Sequence, residues 1–433
     1  MKKILVITYY WPPSGGAGVQ RILKAVKYFP KSGIEPFVVT VKEDRAGYPS
    51  YDRSLEKDVP AEAKVFRTDT FEPFGLYSKL LGKKSIPTGF SNESNPGLFQ
   101  KFSRFVRGNF FIPDARRGWL KFAFKESCRI IEKEKIDTVL VTSPPHSAQL
   151  IGYKLKKKYN IKWIADMRDP WTDIYFYNEF KHLPFAKNLD KKYEREVLEN
   201  ADKIITVGEH LKNQFLGKSP KIKRENIIVI PNGYDEEDFK NQTPQENLQR
   251  EFVITYTGTL ADSYNPIIFF TSLKKMTEKF PEAKIKLRFV GNPAMSVIGK
   301  IKDISLGKHI ELIPTVNHDE SIGYLLRSTM LLLVIPEIKN DKGILTGKLF
   351  EYLAARKPII CIGPEDGDAA IVIRECGAGK TFERNNEDEL NKYLEEQIKN
   401  WIREKNLDVT NDSFRKYSRQ NQANELSKII SSS

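Results

Sequence analysis

Along this chain, short apolar runs alternate with helical patterns, and that alternation confines it to folds built on parallel sheets with covering helices. The clearest unit lies late in the sequence. An apolar run, Met330 to Val334, precedes a polar loop, Pro336 to Gly343; an amphipathic helix then runs to Pro358, before a second apolar run, Ile359 to Ile362. This strand, helix and strand unit puts a helix N-terminus behind a Gly-containing loop, where unpaired N–H groups and the positive dipole end attract an anion. Thr346, Gly347 and Lys348 add a hydroxyl, an unobstructed backbone and an ammonium at that end, which suits phosphate. Glu351, about one turn further in, is placed to accept hydrogen bonds from ligand hydroxyls such as those of a ribose. A solvent-facing helix of the same composition is also ordinary in α/β proteins, so the rest of the chain has to decide.

The first half repeats the alternation. Ile4 to Thr8 is an apolar run followed by Tyr9-Tyr10-Trp11-Pro12-Pro13-Ser14-Gly15-Gly16-Ala17-Gly18 and a helical pattern through Val19, Ile22, Leu23, Val26 and Phe29. The glycines do not form the GxGxxG dinucleotide fingerprint; Gly15 and Gly16 suit either a flexible loop or close backbone approach to a ligand. Strands are expected at Glu35 to Val41, Lys64 to Arg67, Thr138 to Thr142 and Trp163 to Ala165. His146 follows the third of these, and Asp166-Met167-Arg168-Asp169 the fourth. Because ligands bind outside the carboxyl ends of the strands in open α/β sheets, His146, Asp166, Arg168 and Asp169 point to one crevice. The plain alternatives are a structural histidine and a salt-bridged turn.

With 433 residues, the chain is long enough for two domains, each with its own core. Its formal charge of +14 favours an anionic partner, whether nucleic acid, membrane or small molecule. Cys128, Cys361 and Cys376 lack CxxC spacing, so neither a disulfide framework nor a structural zinc site is indicated. No apolar stretch approaches the roughly 20 residues of a membrane span, and the start is not a convincing signal peptide, so a cytoplasmic location is expected. From Leu98 to Ile131, Lys101, Arg104, Arg107, Arg116, Arg117, Lys121 and Lys125 interleave with Phe102, Phe105, Phe110, Phe111, Trp119, Phe122 and Phe124. Such a segment could lie on an anionic membrane at its inner face, stack nucleic-acid bases, or form an ordinary helical pair with its aromatics in the core.

Two further stretches carry a resemblance. Ala201-Asp202-Lys203-Ile204-Ile205-Thr206-Val207 and Val229-Ile230-Pro231-Asn232-Gly233-Tyr234-Asp235, ending at Phe239, resemble the "ADxIIxVS" and "VIPNGxDxxxF" segments of the family 4, group 1 glycosyltransferases, with Gly208 at the usual Ser. Val253 to Leu260, Leu287 to Gly291 and Ile310 to Pro314 look like successive strands and loops of the second domain in that family. The resemblance implies a GT-B fold: an α/β protein with two Rossmann-like, doubly wound parallel-sheet domains facing an interdomain cleft. It implies an acceptor-binding domain over residues 1–235, a nucleotide-sugar donor domain over 236–410, and a C-terminal helix, 411–433, packing back on the first domain.

In that register Glu351 matches the last glutamate of the family's E-x7-E motif. Two departures stand out. Gly343 occupies the position of the first glutamate, and the loop after Gly258 lacks the usual Arg and Lys pair that grips the diphosphate. Lys348 is the candidate to replace those cations and Asp341 a candidate for the missing acid. Asp366-Gly367-Asp368 matches the DxD metal pattern of the other glycosyltransferase fold, but its position makes Asp368 more economically a helix N-cap, so no metal or cofactor is expected.

What the resemblance implies is a transferase moving a sugar from a nucleotide diphosphate sugar to a lipid-linked or saccharide acceptor, with retention, in cell-surface polysaccharide or glycolipid synthesis. Gly15, Gly16, Gly258, Thr259, Thr346, Gly347, Lys348 and Glu351 are the implied donor-binding residues. His146, Asp166, Arg168 and Asp169 are the catalytic candidates, orienting the acceptor or lending electrostatic support. Peripheral contact with an anionic membrane is expected and nucleic acid is not. The alternatives are a nucleotide-sugar epimerase of the same fold and a basic, noncatalytic nucleic-acid- or membrane-binding protein.

Overall fold

The computed structural model describes residues 1–71, 98–240, 251–264 and 266–432. The chain divides into two compact units, the first formed by Met1–Pro231 with Arg419–Ser433 and the second by Asn232–Ser418. Each is a doubly wound α/β domain.

Among its described residues, unit 1 holds seven strands: β1 (Lys2–Ile7), β2 (Ile34–Val41), β3 (Lys64–Thr68), β4 (Thr138–Ser143), β5 (Lys162–Met167), β6 (Lys203–Thr206) and β7 (Ile227–Val229). Their order is β3-β2-β1-β4-β5-β6-β7, with every pairing parallel. Parallel strands buried on both faces read as continuous apolar runs, and β1 shows why: Leu5 and Ile7 enter one core cluster, Ile4 and Val6 the other. The helices α1 (Ala17–Tyr28), α2 (Leu98–Phe110) and α3 (Pro184–Asn200) belong to this unit. β5 extends beyond the expected Ala165, so Asp166 is part of the ladder, paired with Thr142 of β4.

Unit 2 holds, among its described residues, β8 (Val253–Thr257), β9 (Lys286–Val290), β10 (Ile310–Ile313), β11 (Met330–Val334), β12 (Ile359–Ile362) and β13 (Gly379–Phe382), in the parallel order β10-β9-β8-β11-β12-β13. Met330, Leu332 and Val334 face one cluster, Leu331 and Leu333 the other. The helix α4 (Gly347–Ala354) crosses from β11 to β12 and buries Leu349, Phe350, Tyr352 and Leu353.

Two local expectations change. Asp368 is the first residue of the helix Asp368–Glu375 and 5% exposed; Gly367 takes the cap position without a side-chain bond. The C-terminal segment is not one helix: a short turn, Ser413–Tyr417, closes unit 2, extended Ser418 follows, and α5 (Arg419–Ser431) belongs to unit 1. Leu426 and Ile430 of α5 share a core cluster with Val19, Ile22 and Val26 of α1.

The basic-aromatic segment is divided by its packing. Trp119 is fully buried and donates its indole N–H to Thr68 Oγ1 at 2.8 Å, which removes it from any surface role. Phe111 is half-buried, whereas Phe110 at the end of α2 is 63% exposed and Phe122 37%. The side chains of Lys101 and Phe102 lie outside the described residues.

Candidate functional site

In each sheet the strand order reverses once, and the loops at the carboxyl ends of the two strands flanking that reversal diverge to opposite faces and leave a crevice. In unit 1 these strands are β1 and β4; in unit 2 they are β8 and β11. The residues singled out from the sequence cluster at these two places.

At the β8–β11 reversal the chain passes from β11 through the loop to Thr346, which has extended backbone (ψ 151°) and starts α4 without capping it through its side chain. Thr346 Oγ1 is buried and has no hydrogen-bond partner, and no acidic residue occupies the first turn. The amide hydrogens at that end and this hydroxyl therefore make a donor-rich, electropositive corner. Lys348 sits above β8, its Nζ donating to Tyr256 Oη at 2.7 Å and lying 4.2 Å from the ring centroid. Burial lowers its pKa to about 8, with the Glu351 carboxylate opposing the fall. Tyr256 in turn donates to the Thr259 carbonyl at 2.7 Å, which fixes the loop after β8.

Gly258 has φ +90°, and a Cβ there would come within 3.2 Å of Lys348 Cε. Gly258 and Thr259 are exposed residues beside the lysine. Tyr352, one residue beyond half-buried Glu351, accepts the Thr257 amide hydrogen at 2.9 Å and so pins α4 to the end of β8. Thr346, Gly347, Lys348, Glu351, Gly258 and Thr259 are thus gathered by neighbouring elements of one unit. Asp341, the substitute acid, is committed elsewhere: Arg384 Nη2 holds it at 2.9 Å while bonding the Ile335 and Pro336 carbonyls. Asp366 is likewise paired, with Lys342 at 2.5 Å.

In unit 1, Gly15 and Gly16 close β1. A Cβ on Gly15 would meet Ser50 Oγ at 2.9 Å, and the Gly15 amide donates to the Ser50 carbonyl at 2.9 Å. The close approach that requires this glycine is therefore to the protein's own 50–52 segment. Gly16, exposed, has φ +93° and precedes α1.

His146 follows β4 and stacks on Trp171, with ring centroids 4.7 Å apart and planes at 13°. Its Nδ1 is buried without a partner. Burial and the nearby Arg168 charge lower its pKa to about 3, so the ring is neutral and a weak base, suited to hydrogen bonding rather than to taking a proton. Asp166 is 5% exposed and bound by Arg21 and by Thr142 Oγ1, the latter at 2.7 Å. Arg168 donates through Nε to the Ser143 carbonyl at 2.9 Å and through Nη1 to the Gly18 carbonyl at 2.8 Å. Asp169 accepts no hydrogen bond and forms no ion pair among the described residues; burial raises its pKa, Asp166 adds to the rise, and Arg168 opposes it. The carboxylate with a raised proton affinity is therefore Asp169, while Asp166 is structurally occupied.

Three contributors escaped the sequence reading. Arg21 sits within the apolar face of α1, Tyr256 within an apolar strand, and Asp190 on α3 holds Trp171. The signal for Arg21 was a charge between apolar residues that recur at helical spacing; for the other two nothing local distinguishes them.

The family model "Glycosyltransferase Family 4" matches residues 88–238 and "Glycosyl transferases group 1" matches residues 237–419. No curated protein sequence matches the chain significantly. Among solved structures, the Anabaena protein HepE in complex with UDP is similar at TM-score 0.55 and 11% identity, covering 99% of this chain and 95% of that one. WaaG, a glycosyltransferase involved in lipopolysaccharide biosynthesis, is similar at TM-score 0.55 and 11% identity over 99% of this chain and 100% of that chain. A putative UDP-N-acetylglucosamine 2-epimerase from Listeria monocytogenes also matches, at TM-score 0.52 and 15% identity over 98% and 95%. At these identities the likeness shows the two-domain GT-B fold and does not separate transfer from epimerisation.

Proposed function

The chain belongs to the group 1 glycosyltransferases, and from that membership we propose that it moves a sugar from a nucleotide diphosphate donor to an acceptor hydroxyl with retention at the anomeric carbon. The observation that carries the donor reading is the corner at the start of α4, where Lys348, the unpartnered Thr346 hydroxyl and the amides at Gly347 converge beside Gly258. Glycosyl transfer separates a positive sugar ring from a departing diphosphate, so donors and cations preset around the leaving group favour the transition state more than the ground state. Lys348 and the helix end take the diphosphate, and Glu351 takes donor hydroxyls. The UDP held by HepE, a protein of the same fold, supports a uridine nucleotide as the first donor to test. With Lys348 and the helix dipole supplying positive charge, the chemistry is read as metal-independent.

Unit 1 is the acceptor side in this reading. Asp169, with its raised proton affinity, and the neutral His146 orient the acceptor hydroxyl, Arg168 lends positive charge, and Asp166 acts through Arg21. We assign the acceptor to a lipid-linked or surface-polysaccharide precursor, used at the inner face of a membrane. The support is a surface on which Phe110, 63% exposed, neighbours Leu183 and Phe185, 38% and 55% exposed, because Asn109 bonds both Lys181 and Leu183. Exposed apolar side chains beside cations suit an anionic bilayer.

A panel of nucleotide sugars, read by nucleotide release with polyprenyl-phosphate-linked and free saccharide acceptors, tests the proposal. Glu351→Ala and Lys348→Ala are each expected to lose at least tenfold in kcat/KM; full activity in both would sink the donor assignment. Phe110→Ser with Phe185→Ser is expected to weaken flotation with anionic liposomes while leaving release of nucleotide with soluble acceptors intact.

A further inference from the structure

The apolar face of α1 carries Ile22, Leu23 and Val26, and beside them it buries Arg21, 7% exposed. A buried guanidinium persists only when its charge is paired and its donors are used. Both conditions are met. Nε and Nη2 donate to Asp166 Oδ1 at 3.1 and 3.0 Å; Nη2 also donates to the Ile230 carbonyl at 2.9 Å and Nη1 to the Pro231 carbonyl at 2.8 Å. Near the start of the same helix, the Gly18 carbonyl accepts from Arg168. The opening turns of α1 therefore grip the end of β5 at two points.

What lies at the far side of that guanidinium gives the arrangement its consequence. Pro231 is the last residue before the chain leaves unit 1, and Arg419 is the first after it returns. Arg419 and Gln422 join Arg21, Asp166 and Ile230 around a cavity of about 20 Å³, into whose polar wall Gln422 brings a buried amide nitrogen without a partner. Exit and return meet at one ion pair.

We propose that Arg21 is a positioning residue that couples the acceptor-side groups at the end of β5 to the segment by which the chain leaves unit 1. The planar fork of a guanidinium fixes several acceptors in one geometry, so Asp166 cannot shift without drawing on the carbonyls of Ile230 and Pro231, and Arg168, two residues on, is tied to the same helix through the Gly18 carbonyl. A lysine keeps the charge for Asp166 but has a single nitrogen and cannot span both sides. The kinetic consequence rests on unit 1 binding the acceptor; the mechanical coupling does not.

Hydrogen exchange of the full chain tests the coupling. In Arg21→Lys the amide of Ile230, which donates to the Thr206 carbonyl at 2.9 Å, is expected to exchange at least tenfold faster, together with that of Met167 at the end of β5, while β2 keeps its protection. Arg21→Gln combined with Asp166→Asn removes both charges, strands no buried carboxylate, and is expected to give the same pattern should the lysine variant fold poorly. Unchanged exchange at Ile230, or a rise confined to Ile230 or to Met167 alone, overturns the proposal. In the nucleotide-release assay, Arg21→Lys is expected to lower kcat at least tenfold with donor KM within twofold, a split that a purely structural anchor would not produce; wild-type kcat also overturns it. If the unaltered protein releases nucleotide from no donor, the transferase reading fails while the exchange result still decides the role of Arg21.

Discussion

Trp171 donates its indole N–H to the buried carboxylate of Asp190 at 2.7 Å while the face of the same ring lies 4.7 Å from His146. Tyr177 Oη donates to the other Asp190 oxygen at 2.9 Å, and one turn along α3 Glu194 accepts from Thr172, so two acids of one helix hold the loop that follows β5. The platform beneath His146 is thus fastened from below. Burial raises the Asp190 pKa to about 7, with the Trp171 and Tyr177 hydrogen bonds opposing and the charges of Glu194 and Asp114 adding.

The rise at Asp190 gives stability a definite pH dependence. An acid whose folded pKa exceeds its unfolded value binds more protons in the folded state between the two, so stability falls as pH rises from about 4 to about 7. Asp190→Asn is expected to flatten that decline by a few kcal/mol, since a tenfold change in proton affinity corresponds to about 1.4 kcal/mol. Chemical denaturation at pH 5 and pH 8 measures it; equal pH slopes in variant and wild type would show that Asp190 does not titrate in this window.

Lys348 carries the second pH prediction. With its pKa lowered to about 8 by burial, the amine is charged at neutral pH and loses its proton just above. Affinity for a nucleoside diphosphate is expected to be level below about pH 8 and to fall by up to tenfold per pH unit above it, because the bound anion must then recruit a proton. Lys348→Met is expected to bind more weakly and without the break. Titration calorimetry with UDP from pH 6.5 to 9.5 decides, and a break that survives in the variant assigns it to another group.

How much of this could be read from the chain follows a physical division. Strands β1, β4, β11 and β12 announce themselves because a strand covered on both faces must be apolar throughout, and the carboxyl ends of β4 and β11 then locate His146 and Thr346 without tertiary information. What the sequence concealed are contacts between residues distant along it. Gly15 was legible as a place of close approach, but not that its neighbour is Ser50. Asp166 and Asp169 look equivalent in a row of letters; only the distant Arg21 makes one a structural anion and leaves the other unbonded among the described residues. The departure of Asp368 from its expected cap is smaller in kind, a displacement of one residue that puts Gly367 at the turn.

Gly258 tests the geometry of the donor corner by addition. Its φ of +90° lies where L-residues are strained, and a Cβ would press on Lys348 Cε at 3.2 Å. Gly258→Ala is expected to cost about 1–2 kcal/mol of stability through the backbone. It is also expected to weaken UDP binding by displacing the lysine from Tyr256. Thermal unfolding with and without UDP separates the effects, and undiminished stabilisation by UDP would mean that Lys348 does not need its present position.

Tyr352 gives the most local prediction, since its hydroxyl accepts the Thr257 amide hydrogen at 2.9 Å and lies 3.2 Å from Thr257 Oγ1, wholly inside the protein. Tyr352→Phe preserves the ring and its packing but leaves a buried amide without its acceptor, at a cost of about 1–3 kcal/mol. The same bond ties α4 to β8, so the loss is expected to loosen the register between Lys348 and Gly258 as well as the fold. Two measurements keep the parts distinct: urea unfolding reports the stability loss, and UDP affinity well below the unfolding midpoint reports the site. A variant destabilised by this amount that still bound UDP as tightly as the unaltered protein would show that α4 holds its place through Leu349, Phe350 and Leu353 alone, and that the hydroxyl of Tyr352 serves stability without setting the donor corner.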